Sequence, residues 1–275
     1  MRHHSDITNL HRTFEDVSLF EEWDRRYYYK EAMNFYAMSL EFVIKSLRLS
    51  PGELVLDAGC GPGVHAMQFA RRGIFCKAID FSSYVLAEAE RRVRAATLHR
   101  MVTFEKEDLA QLSYKDNSIP SIFCWGVLMH VPDIKTALAE IGRVLMPGGR
   151  LAISMTNPWS FEALTHKTLA RLRQAYNGTT ALSPWTQSSA GTIYVKGMRP
   201  PYLTQILAEN RIRIVCVRAG QFIEYRSNHA NLRRLLAAWN ELWFSVIRSP
   251  LLASGYIVIG EKMAPSSESD REVIA

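Results

Sequence analysis

Glu53 to Asp80 reads ELVLDAGCGPGVHAMQFARRGIFCKAID, and the reading of this stretch decides the fold. An apolar run, Leu54-Val55-Leu56, ends in Asp57 and then in glycines spaced two apart at Gly59, Gly61 and Gly63. A helical pattern follows, and a second apolar run from Ile74 to Ile79 is closed by Asp80. The pattern predicts a strand, a glycine loop, a helix and a second strand that ends in a carboxylate. Such a unit suits a nucleotide-like ligand. Glycines let the backbone come close, and the carboxylate at the second strand end takes ribose hydroxyls.

The spacing narrows the choice of nucleotide. A dinucleotide fingerprint G-x-G-x-x-G counted from Gly59 needs a glycine at position 64, which is Val64. No lysine follows the glycines, so the loop is not a phosphate-cradling G-x-x-x-x-G-K-[ST] either. Asp57 puts a negative charge at the mouth of the loop, which repels a pyrophosphate and favours a cationic ligand.

Working outward, the regular pattern continues. Residues 14–47 are rich in aromatics at three- and four-residue spacings and read as helix, broken by Ser50-Pro51-Gly52. After Asp80, Phe81-Ser82-Ser83 offers caps for a helix to about Thr97, and Val102 to Glu105 reads as a third strand. Ser121 to Val127 reads as a fourth strand, 134–145 as a helix ending at Met146-Pro147-Gly148-Gly149, and Arg150 to Met155 as a fifth strand. Strands alternating with helices imply an α/β fold, a doubly wound parallel sheet with helices on both faces. Beyond it, 156–198 reads as a polar helix-and-loop insertion and 200–210 as a helix. Ile212 to Val217 is a strand, 228–252 a long apolar helix, Tyr256 to Gly260 a last strand, and 264–275 a disordered tail.

Composition sets bounds on function. The 275 residues are 48% hydrophobic and 22% charged, an ordinary globular balance. The net charge of +6 comes from arginines scattered through helices, without a basic arm or a dense lysine run, so nucleic acid is not the expected partner. Cys60, Cys76, Cys124 and Cys216 lie far apart with no C-x-x-C pair, which argues against a metal or iron–sulfur centre. No apolar secretory core and no membrane-length apolar run is present, so a soluble, cytoplasmic protein is expected.

Four signals in order (DAGCGPG, Asp80, Glu107-Asp108-Leu109 and Leu145-Met146-Pro147-Gly148-Gly149-Arg150-Leu151) make residues 50–155 resemble the class I methyltransferases that use S-adenosylmethionine. The segment Leu128-Met129-His130-Val131-Pro132-Asp133 is similar to the subgroup of ubiquinone and menaquinone biosynthesis. The resemblance implies a seven-stranded, mostly parallel sheet whose last strand is antiparallel. It divides the chain into a helical N-terminal lid (1–48) and a methyltransferase domain (49–263) with helical additions, 156–198 and 228–252, over the acceptor. It also implies S-adenosylmethionine as cofactor, with S-adenosylhomocysteine as product. On this reading Gly59, Gly61 and Gly63 pass under the methionine and ribose, and Asp57 faces the positive end. Asp80 accepts both ribose hydroxyls, and Phe81 packs on the adenine. Asp108 and the Leu109 backbone read the adenine edge, with a helix cap as the plain alternative for Asp108. Cys124 and Trp125 border the methionine chain.

His130 is the candidate general base, with His166 and His229 behind it. Ser121 stands where the family has an aspartate, a departure expected to affect packing. Asn157-Pro158-Trp159 and Arg199-Pro200-Pro201-Tyr202 are similar to the N-P-P-Y motif of base-amino methyltransferases but do not follow the fourth strand, which disfavours DNA amino methylation. The expected reaction is methyl transfer to an oxygen of a small molecule: an aromatic, polyketide, sugar or lipid-linked intermediate. An RNA or protein methyltransferase and a catalytically inactive binding subunit are the alternatives. Peripheral membrane contact through Leu232, Leu235, Leu236, Trp239, Trp243 and Ile247, and a homodimer, stay open at this stage.

Overall fold

β1 (Leu54–Ala58) is the central strand, and its apolar run has the reason expected of a parallel sheet buried on both faces. β2 (Phe75–Asp80) pairs with it in parallel on one side and β4 (Ile119–Cys124) on the other. The computed structural model describes residues 15–17, 20, 21, 24, 28, 30–165, 186–188, 191–193, 197–223 and 229–264. Among them the order of the seven-stranded sheet is β3-β2-β1-β4-β5-β9-β8, with β3 (Val102–Lys106), β5 (Leu145–Thr156), β8 (Ile212–Ala219) and β9 (Gly255–Lys262). β9 lies antiparallel between β5 and β8, as expected for the last strand.

The chain runs outward from β1 through β2 to β3, then returns to start the other half at β4. The order therefore reverses between β1 and β4. In open α/β sheets ligands bind outside the carboxyl ends of the strands at such a reversal. The glycine loop leaves β1 there, and Trp125-Gly126 leaves β4 there.

Two apolar layers cover the sheet. On one face α1 (Lys30–Leu47), α2 (Val64–Ala70), α3 (Ser83–Ala95) and α6 (Ala230–Val246) contribute Phe35, Leu40, Phe69, Val93 and Phe244 to one cluster. On the other, α4 (Ile134–Val144) and α5 (Pro200–Glu209) contribute Leu138, Ile141, Leu203 and Leu207. α3 starts where expected because the Ser82 hydroxyl accepts from Val85 N at 3.2 Å. α4 starts at Asp133, whose carboxylate accepts from Thr136 N at 3.2 Å.

Several expectations need correction. The single helix over 14–47 is interrupted: Val17, Phe20, Glu21 and Asp24 are helical, a bend sits at Tyr28, and α1 begins at Lys30. α1 packs into the core, where Ala32, Phe35, Leu40 and Val43 are each no more than 1% exposed. The segment expected to be one helix over 228–252 is helical only to Val246, because Pro250 and the extended residues before it cannot continue the helix. The insertion contains a two-stranded hairpin, β6 (Thr186–Ser188) with β7 (Gly191–Ile193), besides helical residues 161–165. The tail beyond 264 and most of 166–196 lie outside the described residues.

Candidate cofactor and acceptor site

The turn after β1 is held by the strand beside it. Gly59 N and Cys60 N both donate to Ile79 O at 2.8 Å, and Gly61 N donates to Asp80 Oδ2 at 3.1 Å. Gly59 has φ +80°, and a Cβ there would collide with the Val127 side chain. Gly61 has φ +52°, and a Cβ there would meet nothing within 4 Å. The two glycines thus do different jobs: the first lets the Val127 side chain pack against the loop backbone, while the second leaves an open cradle.

Asp80 ends β2 beside that cradle. Its Oδ1 accepts from Ser82 N at 3.1 Å while Oδ2 holds Gly61 N, so the carboxylate is locked in place by backbone. Burial raises its pKa, against the lowering effect of the Ser82, Gly61 and Phe81 N–H groups. Asp57 is 2% exposed, and its Oδ2 has no hydrogen-bond partner. Burial, with Asp80 nearby, pushes its carboxyl up to about 8. A carboxyl held this way lacks a cation or a donor.

The rest of the predicted set sorts by position. Phe81 follows Asp80 in the bend before α3, and Leu109 is buried. The Asp108 Oδ1 accepts from Ala110 N at 2.8 Å, so it closes a local turn rather than capping a helix. Cys124 is buried at the end of β4, and Trp125 stacks on Phe123 with centroids 5.8 Å apart. Gly126 N donates to Ser154 Oγ at 2.8 Å, tying the β4 exit to β5. His130 sits in the same segment, but burial pushes its pKa down to about 4. Burial therefore favours the neutral His130 imidazole, the form that can accept a proton. His229 is exposed at the start of α6, and His166 lies outside the described residues.

One group was missed in the sequence. His65, 5% exposed, has its ring centroid 5.6 Å from Trp125 and 5.5 Å from Tyr36, which α1 brings over the β4 exit. Its Nε2 has no partner and burial lowers its pKa to about 4. The only local signal was a histidine in the first turn after the glycine loop.

Several arginines are committed to ion pairs. Among the described residues Arg72, Arg92, Arg94, Arg143 and Arg150 are each bonded to a carboxylate within 2.8 Å.

Comparison with known proteins agrees with this geometry. Residues 56–153 match a family model described as a methyltransferase domain. This part of the chain is similar to a methyltransferase domain. The chain is 39% identical over 115 residues to methyltransferase GfsG of Streptomyces halstedii, covering 42% of this chain and 41% of that one. It is 31% identical over 153 residues to the ubiquinone biosynthesis O-methyltransferase of Hahella chejuensis, covering 54% and 63%. These matches span less than two thirds of either relative. Magnesium protoporphyrin IX methyltransferase (ChlM) of Synechocystis, solved with bound S-adenosylhomocysteine, superposes with a TM-score of 0.62 over 91% of this chain and 97% of that one. At 18% identity that likeness speaks for the fold.

Proposed function

We propose that the protein binds S-adenosylmethionine at the β1–β2 glycine loop and transfers its methyl group to an oxygen of a small-molecule acceptor. The observation that carries this reading is the pair of carboxylates at adjacent strand ends in two different states. Asp80, fixed by Gly61 N and Ser82 N, has the geometry to accept two ribose hydroxyls. Asp57, with a buried unpartnered oxygen, has the environment to receive an ammonium group. The open cradle above Gly61 lets a ligand lie on the backbone. These residues fit the cofactor. When bound, it supplies a methyl group already activated on a positive sulfur.

The chain's own work is then binding, alignment and exclusion of water. Holding two reactants in line contributes up to roughly 7–11 kcal/mol in favourable cases. Trp125, Phe123, His65 and Tyr36 form an aromatic wall at the β4 exit, and such a wall keeps water from the reacting atoms. Neutral His130 and neutral His65 suit hydrogen bonding to an acceptor hydroxyl better than full proton removal. An acidic hydroxyl, as on a quinol or a phenol, needs less help from a base, and the ubiquinone biosynthesis relative is an O-methyltransferase by name.

The test is calorimetric titration with S-adenosylhomocysteine, followed by labelled methyl transfer from S-adenosylmethionine to a panel of phenols and quinols. Micromolar binding and label in an O-methyl product are expected. Absence of binding would refute the cofactor assignment. Label in an RNA or protein fraction alone would refute the acceptor class.

A further inference from the structure

A cavity of about 660 Å³ opens where the segment leaving β4 meets the segment leaving β5 and the start of α5. Asp133, Lys135, Trp159, Met198, Arg199 and Tyr202 line it. It lies on the His130 side of the sheet reversal, since Pro132 on its wall is two residues after His130. Its walls are unusual for a surface cleft. Trp159 and Tyr202 are 54% and 44% exposed, and each carries a cation on its face. The Arg199 guanidinium lies 5.0 Å from the Trp159 centroid, and Lys135 Nζ lies 6.0 Å from the Tyr202 centroid.

These two cations differ from the others described above. Arg143 and Arg150 face carboxylates, whereas among the described residues Arg199 and Lys135 are recorded against rings. A guanidinium that stacks on an indole uses its face, which leaves the N–H fork at its edge for a planar anion. Asp133 is the one carboxylate among the described lining residues, and it accepts from Thr136 N at 3.2 Å and Thr136 Oγ1 at 2.8 Å. The backbone offers little in its place: α5 begins Pro200-Pro201, which have no N–H to donate. An anion at this end of α5 is therefore held by side chains.

We propose that this cavity binds an anionic group of the acceptor, a carboxylate or phosphate ester on a flat apolar body. Arg199 and Lys135 are the donors, and Trp159 and Tyr202 are the walls. The proposal rests on the methyltransferase reading and narrows its acceptor class. Neutral quinones and sterols fit this surface less well than aryl acids or phosphorylated aromatic intermediates.

The experiment titrates the full chain with 1-naphthoate, 1-naphthyl phosphate and the neutral 1-naphthylmethanol, by calorimetry and tryptophan fluorescence. One or both anions should bind about tenfold or more tightly than the alcohol, the scale of a hydrogen bond to a charged group. The tighter of the two identifies the group. Arg199→Gln with Lys135→Gln should bring the preference to near unity, and Trp159→Leu should weaken all three probes alike. Equal binding of anion and alcohol, a preference that survives the double substitution, or no binding of any probe at millimolar concentration would each overturn the site. S-adenosylhomocysteine titrated into the same samples keeps the two readings apart. Its binding without anion preference sinks only the cavity proposal. Anion preference without its binding sinks the methyltransferase reading and leaves an anion cleft.

Discussion

Asp57 gives the sharpest test because its protonation is tied to the ligand. Burial and the neighbouring Asp80 raise its carboxyl from 3.8 to about 8, so ionising it in the ligand-free protein costs at most about 6 kcal/mol. At pH 7 the folded protein holds a proton here that the unfolded chain has released. The folded pKa lies above the unfolded one, so the ligand-free protein loses stability as pH rises from about 4 through about 8, after which the loss is complete. An ammonium group placed against this carboxylate favours the ionised form. Binding at pH 7 should therefore release roughly one proton, and affinity for S-adenosylhomocysteine should rise up to about tenfold per pH unit between 6 and 8. Above about 8 the ligand's own amino group begins to lose its proton, and the rise should stop. His65 and His130, both at about 4, do not titrate in this window. Asp80 is also raised, so the measured steps belong to the pair until Asp57→Asn separates them. That variant should bind weakly with a flat pH dependence, and without ligand at pH 8 it should melt about 5 °C or more higher. Calorimetry at pH 7 in buffers of different ionisation enthalpy reads the proton directly. A pH-independent affinity with no proton released would refute the assignment of Asp57 to the ligand's positive end.

Other substitutions separate the parts of the site. Asp80→Asn keeps an acceptor for only one of the Gly61 and Ser82 amides and sets an NH2 against the other, so the melting temperature should fall by a few degrees. Affinity for S-adenosylhomocysteine should fall about a hundredfold, and near-normal affinity would end the ribose assignment. Gly59→Ala meets Val127 at φ +80° and should lower unfolding free energy by about 2–4 kcal/mol in urea. Gly61→Ala meets open space and should cost only about 1 kcal/mol while weakening binding at the cradle. Equal stabilities for these two variants would contradict the division of labour. In a histidine-resolved NMR titration, the resonance removed by His130→Gln should not shift between pH 5.5 and 8, and a midpoint near 6.5 would refute its neutral state.

The glycine unit was legible because everything it needs is consecutive. The apolar run that makes β1, the glycines that turn it and the aspartate that ends β2 follow one another in the chain, and each residue's job follows from its neighbours. Legibility fails where a distant partner decides. Met146-Pro147-Gly148-Gly149 reads as a helix-ending turn, yet β5 already begins at Leu145, because Leu145 pairs with Ile119 across the parallel sheet. Pairing with another strand outweighs local turn chemistry there. His130 was expected near neutral pH from its residue type, but its burial, which drops it to about 4, depends on elements packed around it. Tyr36, His65 and Trp125 meet only because α1, α2 and β4 converge on one strand end. Lys135 and Trp159 likewise come together with Arg199 only in the folded chain. On the proposed function, the cofactor side is built from local sequence and the acceptor side from convergence. That division explains why one stretch of chain suffices to recognise the methyl donor. It also explains why the acceptor has to be sought with ligands that probe Arg199 and Trp159 rather than with motifs.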